Sequence, residues 1–387
     1  LFLFFLPWSP LLKLYQGGIS FYTIAILLAC FVCFAKDGWR LDRYRIFCTA
    51  GAAAVTLFSK MIRGNGISMS YLFFMTMLVL FPCLAVPETR KGGVLRMTLF
   101  FAAGIVSAAL IARSVAGYPR ISSFITVDSY LSITRLSGFY GDPNFYAAHI
   151  TACLAGVLLL LVRETRPYIR ILLAGTAATL VYCGFLSASK MFVLILAGLF
   201  CIWVLIIMET QNCGSMRIRI LAGLAVFILV MLSSPAVEEL LRTIDTRFSY
   251  AANISQLTTG RTDLWKAYLD AFRNDPVLLF LGEGYSAVAL HRRGSHNTIL
   301  QGIYQLGLAG FLILQSWMLF FIKSLRTADG ENAADGKVVL LLLAGAVLPW
   351  TGLDILFFDE FFFLPVYMIV GINESRSGRS AKTRLRT

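Results

Sequence analysis

The chain carries few charged residues for its length. Only 14% of its 387 residues are Asp, Glu, Lys or Arg, and 58% are hydrophobic, whereas soluble domains average about 25% charged residues. So few charges cannot coat the roughly two or three soluble domains that this length would otherwise suggest. The apolar residues also form long unbroken runs, which excludes a set of amphipathic core helices. The sequence therefore predicts an all-α, polytopic membrane protein.

The chain also lacks the motifs of nucleotide and metal sites. It contains no GxxxxGK[ST] and no GxGxxG, so neither an ATP site nor a dinucleotide site is indicated. It contains no HExxH and no paired CxxC, so no zinc site is indicated. The second to tenth apolar runs contain essentially no Asp or Glu, which argues against an ion-coupled transporter; Asp354, Asp359 and Glu360 interrupt the last two. We expect no metal and no cofactor.

Twelve apolar segments are candidates for membrane spans, each of which needs about 20 residues. Most Lys and Arg fall in loops on one side, so the positive-inside rule puts both termini in the cytoplasm. The net charge of +13 is therefore attributed to membrane topology and not to nucleic-acid binding. The predicted spans are 1–14, 19–35, 44–60, 68–86, 94–112, 144–162, 169–186, 191–208, 218–234, 297–322, 338–353 and 356–373.

The predicted outer loops 113–143 and 235–295 are long enough to hold a site, since structureless loops beyond about 15 residues are usually functional or disordered. This divides the chain into spans 1–9 (1–234), a long outer loop (235–295), spans 10–12 (296–373) and a basic cytoplasmic tail (374–387).

Within the second loop, residues 261–273 predict an interfacial helix on the outer leaflet that ends at Asn274-Asp275-Pro276. Its predicted apolar face comprises Leu264, Trp265, Tyr268, Leu269 and Phe272.

Asp142-Pro143-Asn144 opens the sixth predicted span. Asp is a preferred N-cap and Pro suits the first helical position, which is typical of a well-capped helix that binds nothing. The helix start nevertheless faces outward, where the positive end of its dipole favours an anion.

One of the three histidines has a notable position. Ser295 is expected to cap the tenth span, which puts His296 in the first turn. The helix dipole there favours the neutral, proton-accepting imidazole, whereas a nearby phosphate would favour the charged form, so no net direction follows. The alternative is an interfacial histidine hydrogen-bonded to a loop.

Three cations, Arg135, Lys190 and Arg261, are predicted on the same side of the membrane as His296. Arg binds phosphate oxygens with two donors at once, while Lys offers a point charge. Arg135 and Lys190 are each also typical of an interfacial anchor. Together they suit a pyrophosphate leaving group with a base beside it.

Three stretches resemble the O-antigen ligase and polymerase superfamily of bacterial membrane glycosyltransferases. Arg135 to Asn144 (RLSGFYGDPN) is similar to an Arg followed by Gly-x-x-x-Asp-Pro-Asn. Gly260-Arg261 with Leu264-Trp265 resembles a second Arg motif, although its leucine comes one place early. His296 with Gly307 (HNTILQGIYQLG) resembles a His-x10-Gly signature. The resemblance covers about residues 60–370, and it departs at Ser189-Lys190, where relatives often carry Ser-Arg.

The resemblance implies a GT-C-like helical fold and a glycan donor on undecaprenyl pyrophosphate at the outer face of the bacterial inner membrane. Arg135 and Arg261 would hold the pyrophosphate and stabilise its charge, with help from Lys190. His296 would accept the proton of an acceptor sugar hydroxyl, on a lipid A core or a lipid-linked repeat unit, which attacks with inversion and without a metal. Asp142, Asn144 and Asn297 would contribute to binding the donor.

Three readings remain open. The ligase-like one, favoured by the His-x10-Gly signature, transfers a finished glycan once to an acceptor. A polymerase would extend lipid-linked repeats by the same chemistry. A lipid-linked glycan flippase or transporter would also bind pyrophosphate with cations, but along a path open to both sides; the grouping of Arg135, Arg261 and His296 on one side disfavours it.

Overall fold

The structure is a computed structural model. It describes residues 1–12, 20–37, 43–64, 69–84, 93–115, 129–130, 133–210, 242, 245, 249, 258, 260–285, 290, 294–324, 336–356 and 359–384. The predicted span 218–234 and most of 235–259 lie outside the described residues.

The described chain is helical apart from one short hairpin just before Arg135, in which β1 and β2 pair antiparallel. Segments of 3-10 helix cover Leu6–Leu12 and Leu348–Thr351. The regular elements are α1 (Phe2–Phe5), α2 (Phe21–Asp37), α3 (Arg43–Arg63), α4 (Met69–Leu84), α5 (Gly93–Val115), β1 (Ser129–Tyr130), β2 (Ile133–Thr134), α6 (Pro143–Arg163), α7 (Pro167–Leu186), α8 (Lys190–Thr210), α9 (Arg261–Asn274), α10 (Pro276–Leu281), α11 (Thr298–Ser324), α12 (Gly336–Val347) and α13 (Asp359–Arg384).

The helices coincide with the predicted spans wherever the chain is described. Six of them, α3, α5, α6, α7, α8 and α11, are long and apolar enough to cross a membrane. Shorter apolar helices occupy Phe2–Leu12, Phe21–Lys36, Met69–Cys83 and Gly336–Thr351. The chain is a multi-pass helical membrane protein, as predicted. The number of twelve crossings and the cytoplasmic termini remain predictions, and α13 continues as a helix to Arg384, beyond the predicted span end at 373.

Helix α6 lies at the centre of the bundle. Its apolar window is 78% buried inside the protein, and it packs against α5, α7, α8 and α12. Small residues permit this close approach: a side chain at Gly345 of α12 would lie within 2.8 Å of the Thr151 carbonyl oxygen, and the Thr151 hydroxyl donates to the Gly345 carbonyl at 2.9 Å. Tight packing at small residues is how membrane helices associate. The start of α6 is therefore held rigidly.

Helix α11 is kinked at Gly307, whose φ of 68° and ψ of 168° are non-helical. The kink exposes carbonyl groups that the helix would otherwise use, and the chain after α10 satisfies them. The Glu283 N–H donates to the Tyr304 carbonyl at 2.7 Å and the Gly284 N–H to the Gln305 carbonyl at 3.1 Å. A Cβ at Gly307 would collide with the carbonyl oxygen of Phe280. Only glycine fits this position.

The predicted interfacial helix forms as α9 and ends at Asn274. Tyr268 and Phe272, which belong to its predicted apolar face, are buried against Tyr304 of α11 and Leu278 of α10, whereas Leu269 is 56% exposed. Part of the apolar face therefore packs against other helices of the protein. The position of α9 relative to the bilayer remains a prediction.

Candidate functional site

His296 precedes helix α11 and does not lie in its first turn. The side-chain oxygen of Asn297 accepts the N–H groups of Ile299 at 3.0 Å and Leu300 at 3.1 Å, so Asn297 is the N-cap. The prediction that Ser295 caps this helix was therefore wrong. His296 itself adopts a left-handed backbone conformation with φ of 49°, which is uncommon for a residue other than glycine and marks a locally constrained position.

The constraint on His296 comes from Asp354, which follows α12. One carboxylate oxygen of Asp354 accepts the His296 N–H at 3.1 Å. The other accepts the Asn297 N–H at 3.0 Å and the Ser295 hydroxyl at 2.9 Å. Three donors on one carboxylate define the turn that carries the histidine. The sequence analysis did not assign Asp354 a role, although a carboxylate that interrupts an apolar run is a recognised signal of one.

Helix α9 is tied to the same turn. The Trp265 indole N–H donates to the Ser295 carbonyl at 3.0 Å. The Tyr268 hydroxyl donates to the Gln301 side-chain oxygen at 3.1 Å, and that oxygen also accepts the Ser295 N–H at 3.3 Å. Trp265 stands where the family motif often has leucine, and here it provides a hydrogen bond that leucine cannot. These bonds fix the start of α9 relative to His296.

Arg261 is the first residue of α9, directly after Gly260, whose φ is 78°. A Cβ at Gly352 would lie 2.8 Å from Arg261 Nη1 and 3.2 Å from the Met191 sulfur. The guanidinium thus lies against Gly352, which follows the 3-10 segment Leu348–Thr351, and Met191 of α8 contacts the same glycine. Within the described chain the guanidinium makes no hydrogen bond or ion pair.

The surroundings of Arg261 are electrostatically mixed. Desolvation lowers the pKa of its guanidinium, Asp142 raises it, Arg135 lowers it further, and Asp354 raises it. An arginine stays protonated through such shifts, so the result is a partly desolvated cation close to a second cation. Asp142 acts on Arg261 more strongly than Arg135 does, so the lowering of the pKa comes from desolvation. An anion in contact with the guanidinium would offset this cost.

Arg135 is buried, and its Nε donates to the Ser187 carbonyl at 3.0 Å in the short connection between α7 and α8. The adjacent Leu136 N–H donates to the Leu186 carbonyl at 2.9 Å. The segment after the hairpin is therefore bound to the α7–α8 turn, in which Ala188 has a φ of 46°. Lys190 follows as the first residue of α8, immediately before Met191.

Asp142 and Asn144 form a network at the start of α6. Asp142 is the N-cap and accepts the Asn144 N–H at 2.9 Å and the Asn144 side-chain amide at 2.6 Å. The Asn144 side-chain oxygen accepts the Ser189 hydroxyl at 2.6 Å. The capping interpretation is confirmed. Since Asp142, Asn144 and Asn297 all hold protein groups, their predicted contact with a donor remains a prediction.

The structure thus brings Arg135, Arg261 and the His296 turn together where several helices end. Asp142 and Asp354 accompany them. The residues missed by the sequence analysis are Asp354 and Gln301, which arrange the turn together with Ser295.

The sequence of this region is similar to a known protein family. Residues 175–314 match the family model described as O-antigen ligase. This confirms the resemblance to the O-antigen ligase and polymerase superfamily. The O-antigen ligase match runs from α7 into α11 and contains Lys190, Arg261, His296 and Gly307, while Arg135 and Asp142 precede it. No curated protein matched the chain in a sequence search.

Proposed function

We propose that this membrane protein transfers a glycan from undecaprenyl pyrophosphate to a sugar hydroxyl, as a ligase-like glycosyltransferase at the outer face of the bacterial inner membrane. The O-antigen ligase domain supports ligase- or polymerase-type activity in general. The observation that carries the specific proposal is the Arg261 guanidinium. It is partly desolvated, has no hydrogen-bonding partner in the described chain, and is close enough to Arg135 for the two charges to interact.

Two nearby arginines suit a pyrophosphate. Asp142 and Asp354 offset the repulsion between the two cations from nearby, but the described chain provides the Arg261 guanidinium with no hydrogen bond to replace those it loses on leaving water. An anion that contacts the guanidinium would supply them. A pyrophosphate presents several oxygens to the forked donors of each guanidinium. Because negative charge grows on these oxygens as the glycosidic bond breaks, Arg261 and Arg135 would stabilise the transition state more than the bound donor.

His296 supplies the base in this proposal. The acceptor hydroxyl loses its proton to the imidazole, its oxygen forms a bond to the anomeric carbon, and the bond from that carbon to the pyrophosphate oxygen breaks. Undecaprenyl pyrophosphate leaves with the bonding electrons, and attack opposite the leaving group inverts the anomeric centre. Asp354 takes no part in proton transfer; it positions His296 through the backbone N–H.

The test is reconstitution of the purified protein with a short labelled glycan on undecaprenyl pyrophosphate. Product that forms only when a separate acceptor glycan is added supports the ligase. A ladder of longer lipid-linked glycans without another acceptor would instead identify a polymerase. Movement of label across the bilayer with no transfer to any acceptor would contradict the glycosyltransferase and favour the flippase.

Matched variants connect the activity to the site. We expect His296→Ala and Arg261→Ala to abolish transfer while membrane insertion is retained. Arg273→Ala is the control for Arg261, because Arg273 is an exposed arginine on the same helix. Equal turnover by Arg261→Ala and Arg273→Ala would remove Arg261 from the proposal, and normal turnover by His296→Ala would remove the base.

A further inference from the structure

A second polar cluster lies apart from the residues of the candidate site, among helices predicted to span the membrane. It consists of Tyr140, His149 and Glu360. Tyr140 belongs to the segment 135–144, His149 is in the second turn of α6, and Glu360 is in the first turn of α13. The side chain of His149 is fully buried and Glu360 is 2% exposed. None of the three has a role in the proposed transfer chemistry.

The three side chains contact one another through a few atoms. The Tyr140 hydroxyl is hydrogen-bonded to Glu360 Oε1. His149 Nε2 lies 3.3 Å from the Tyr140 hydroxyl and 3.3 Å from Glu360 Oε1. The other ring nitrogen, Nδ1, lies 2.7 Å from the Phe145 carbonyl oxygen. Because a carbonyl can only accept, Nδ1 carries a proton.

This assignment leaves the cluster one proton short if Glu360 is ionised and His149 is neutral. Nε2 would then have only a lone pair, and the carboxylate would also only accept. The single hydroxyl proton of Tyr140 cannot serve both the contact between Tyr140 and Glu360 and the contact between His149 and Glu360. Two acceptors would face each other in a buried environment that also holds a net negative charge, which is strongly unfavourable.

We propose that the cluster holds one additional proton, shared by His149 and Glu360, and that this proton keeps Tyr140 and the segment 135–144 in place. The proposal rests on the proposed function in that this segment provides Arg135 for the pyrophosphate. His149 and Glu360 are then positioning residues that act on donor binding through Tyr140. The extra proton makes the cluster electrically neutral and gives each contact a donor.

Tyr140 is well placed to transmit this effect. It follows Arg135 by five residues and precedes the N-cap Asp142 by two. Its N–H donates to the Ser137 carbonyl at 3.0 Å, and its ring stacks on Phe145 with centroids 5.7 Å apart. Movement of Tyr140 would therefore shift the stretch that joins Arg135 to the start of α6.

Other titratable groups near the cluster strengthen the need for the proton. Asp359, the neighbour of Glu360, accepts the Thr23 hydroxyl at 3.0 Å and lies 3.4 Å from the Ser20 hydroxyl. Tyr22 donates to the Phe2 carbonyl at 2.7 Å. Both Asp359 and Glu360 act electrostatically on Tyr22, and both act on Tyr140. An ionised Glu360 beside neutral His149 would be repelled by the neighbouring Asp359 carboxylate.

Glu360→Gln provides the central test. Tyr140 and His149 both contact the Oε1 position, so the glutamine amide nitrogen has to occupy it. Its two protons can then be donated to neutral His149 and to the Tyr140 hydroxyl oxygen, while that hydroxyl donates to the Leu6 carbonyl at 3.3 Å. The contacts persist and no proton can be lost. We expect the variant to match the wild-type donor KM at neutral pH within about twofold. As pH rises into the alkaline range, the wild-type KM should increase about tenfold, the scale of a lost buried hydrogen bond, whereas the variant KM should stay level.

Two further variants separate positioning from general damage. Glu360→Leu removes the contacts, so its KM should be raised at every pH while kcat changes less. Asp359→Asn removes the adjacent carboxylate and should retain the wild-type alkaline rise. If Glu360→Gln shows the same alkaline rise as the wild type, another group carries the proton and the proposal is overturned.

A measurement without substrate keeps this inference distinct from the proposed function. The thermal unfolding temperature, followed by tryptophan fluorescence, should fall in alkaline solution for the wild type and fall less for Glu360→Gln. If neither the wild type nor any variant transfers glycan, the proposed function is overturned. The unfolding temperatures of the wild type and Glu360→Gln still test the shared proton in that case. Identical unfolding profiles of the wild type and Glu360→Gln would overturn the cluster even if transfer is observed.

Discussion

The carboxylate of Asp354 accepts the backbone N–H of His296 at 3.1 Å, although 58 residues separate the two in the chain. Together with the bonds to Ser295 and Asn297, it holds the candidate base in a left-handed conformation ahead of α11. The position of the imidazole therefore depends on the connection between α12 and α13 as much as on its own helix.

Asp354→Asn should weaken this turn. An asparagine can keep one accepting oxygen, but its amide would face the His296 N–H or the other donors without accepting from them. We expect a loss of about 1–3 kcal/mol in the free energy of unfolding, the usual effect of leaving a buried donor unpaired, and a fall in transfer rate. Asp270→Asn, at an exposed site on α9, is the control. Equal stability of the two variants in a denaturation assay would contradict the prediction.

Arg261→Met should separate stability from activity. Removing a partly desolvated cation that has no hydrogen-bonding partner in the described chain relieves a desolvation cost, so the variant should unfold no earlier than the wild type. Transfer should fall by about 10²–10³, as when a donor to a developing negative charge is removed. The exposed Arg273→Met should change neither quantity. A clear loss of thermal stability in Arg261→Met alone would show that the guanidinium has a structural partner.

Gly307→Ala should destabilise the protein strongly. The φ and ψ of Gly307 lie in a region used almost only by glycine, and a side chain in such a region costs about 1–3 kcal/mol before any collision is counted. Gly198→Ala is a matched helical control, because no atom lies within 4 Å of its added Cβ, and alanine favours helix over glycine. The two unfolding temperatures should therefore move in opposite directions.

Asp275→Asn should report on the ion pair that anchors the corner between α9 and α10. Arg63 Nη2, at the end of α3, donates a hydrogen bond to Asp275 Oδ2 at 2.7 Å. This hydrogen bond is the main reason that the pKa of Asp275 is lowered. A lowered carboxyl pKa contributes stability above the unfolded-state pKa, and this contribution is lost as pH falls through the folded-state value. The variant should be less stable at neutral pH by up to about 1 kcal/mol, since the pair is partly exposed.

The difference between Asp275→Asn and the wild type should disappear in acid, where both side chains are uncharged. The asparagine can still accept the Leu278 N–H that Asp275 accepts at 3.0 Å, so capping is not in question. A stability difference that persists unchanged in acid would mean that the ion pair contributes nothing.

The positions of the helices could be predicted from sequence because hydropathy is a local property. The predicted span 94–112 appears as Gly93–Val115, and 144–162 as Pro143–Arg163. The convergence of Arg135, Arg261 and His296 was expected from the resemblance and the predicted topology, because motifs on one side of a membrane share a surface.

Other features depend on contacts that the local sequence cannot reveal. Ser295 and Asn297 are both good helix caps, and the choice between them is linked to Asp354, more than fifty residues away. The contact of His149 with Glu360 joins two helices that are distant in the chain. Helical spacing gives the apolar side of α9 but does not reveal that Tyr268 and Phe272 on that side pack against Tyr304 and Leu278.

The kink at Gly307 has a consequence for how such proteins can be recombined. Two carbonyl groups of α11, those of Tyr304 and Gln305, accept hydrogen bonds from the N–H groups of Glu283 and Gly284, which follow α10. The segment before α11 and the part of α11 before Gly307 therefore need each other to satisfy their backbone hydrogen bonds. A chimera that exchanges only the outer segment would have to recreate both bonds across a foreign junction. Exchange boundaries placed beyond Gly307 keep the two parts together, and chimeras of that kind should fold where shorter grafts fail.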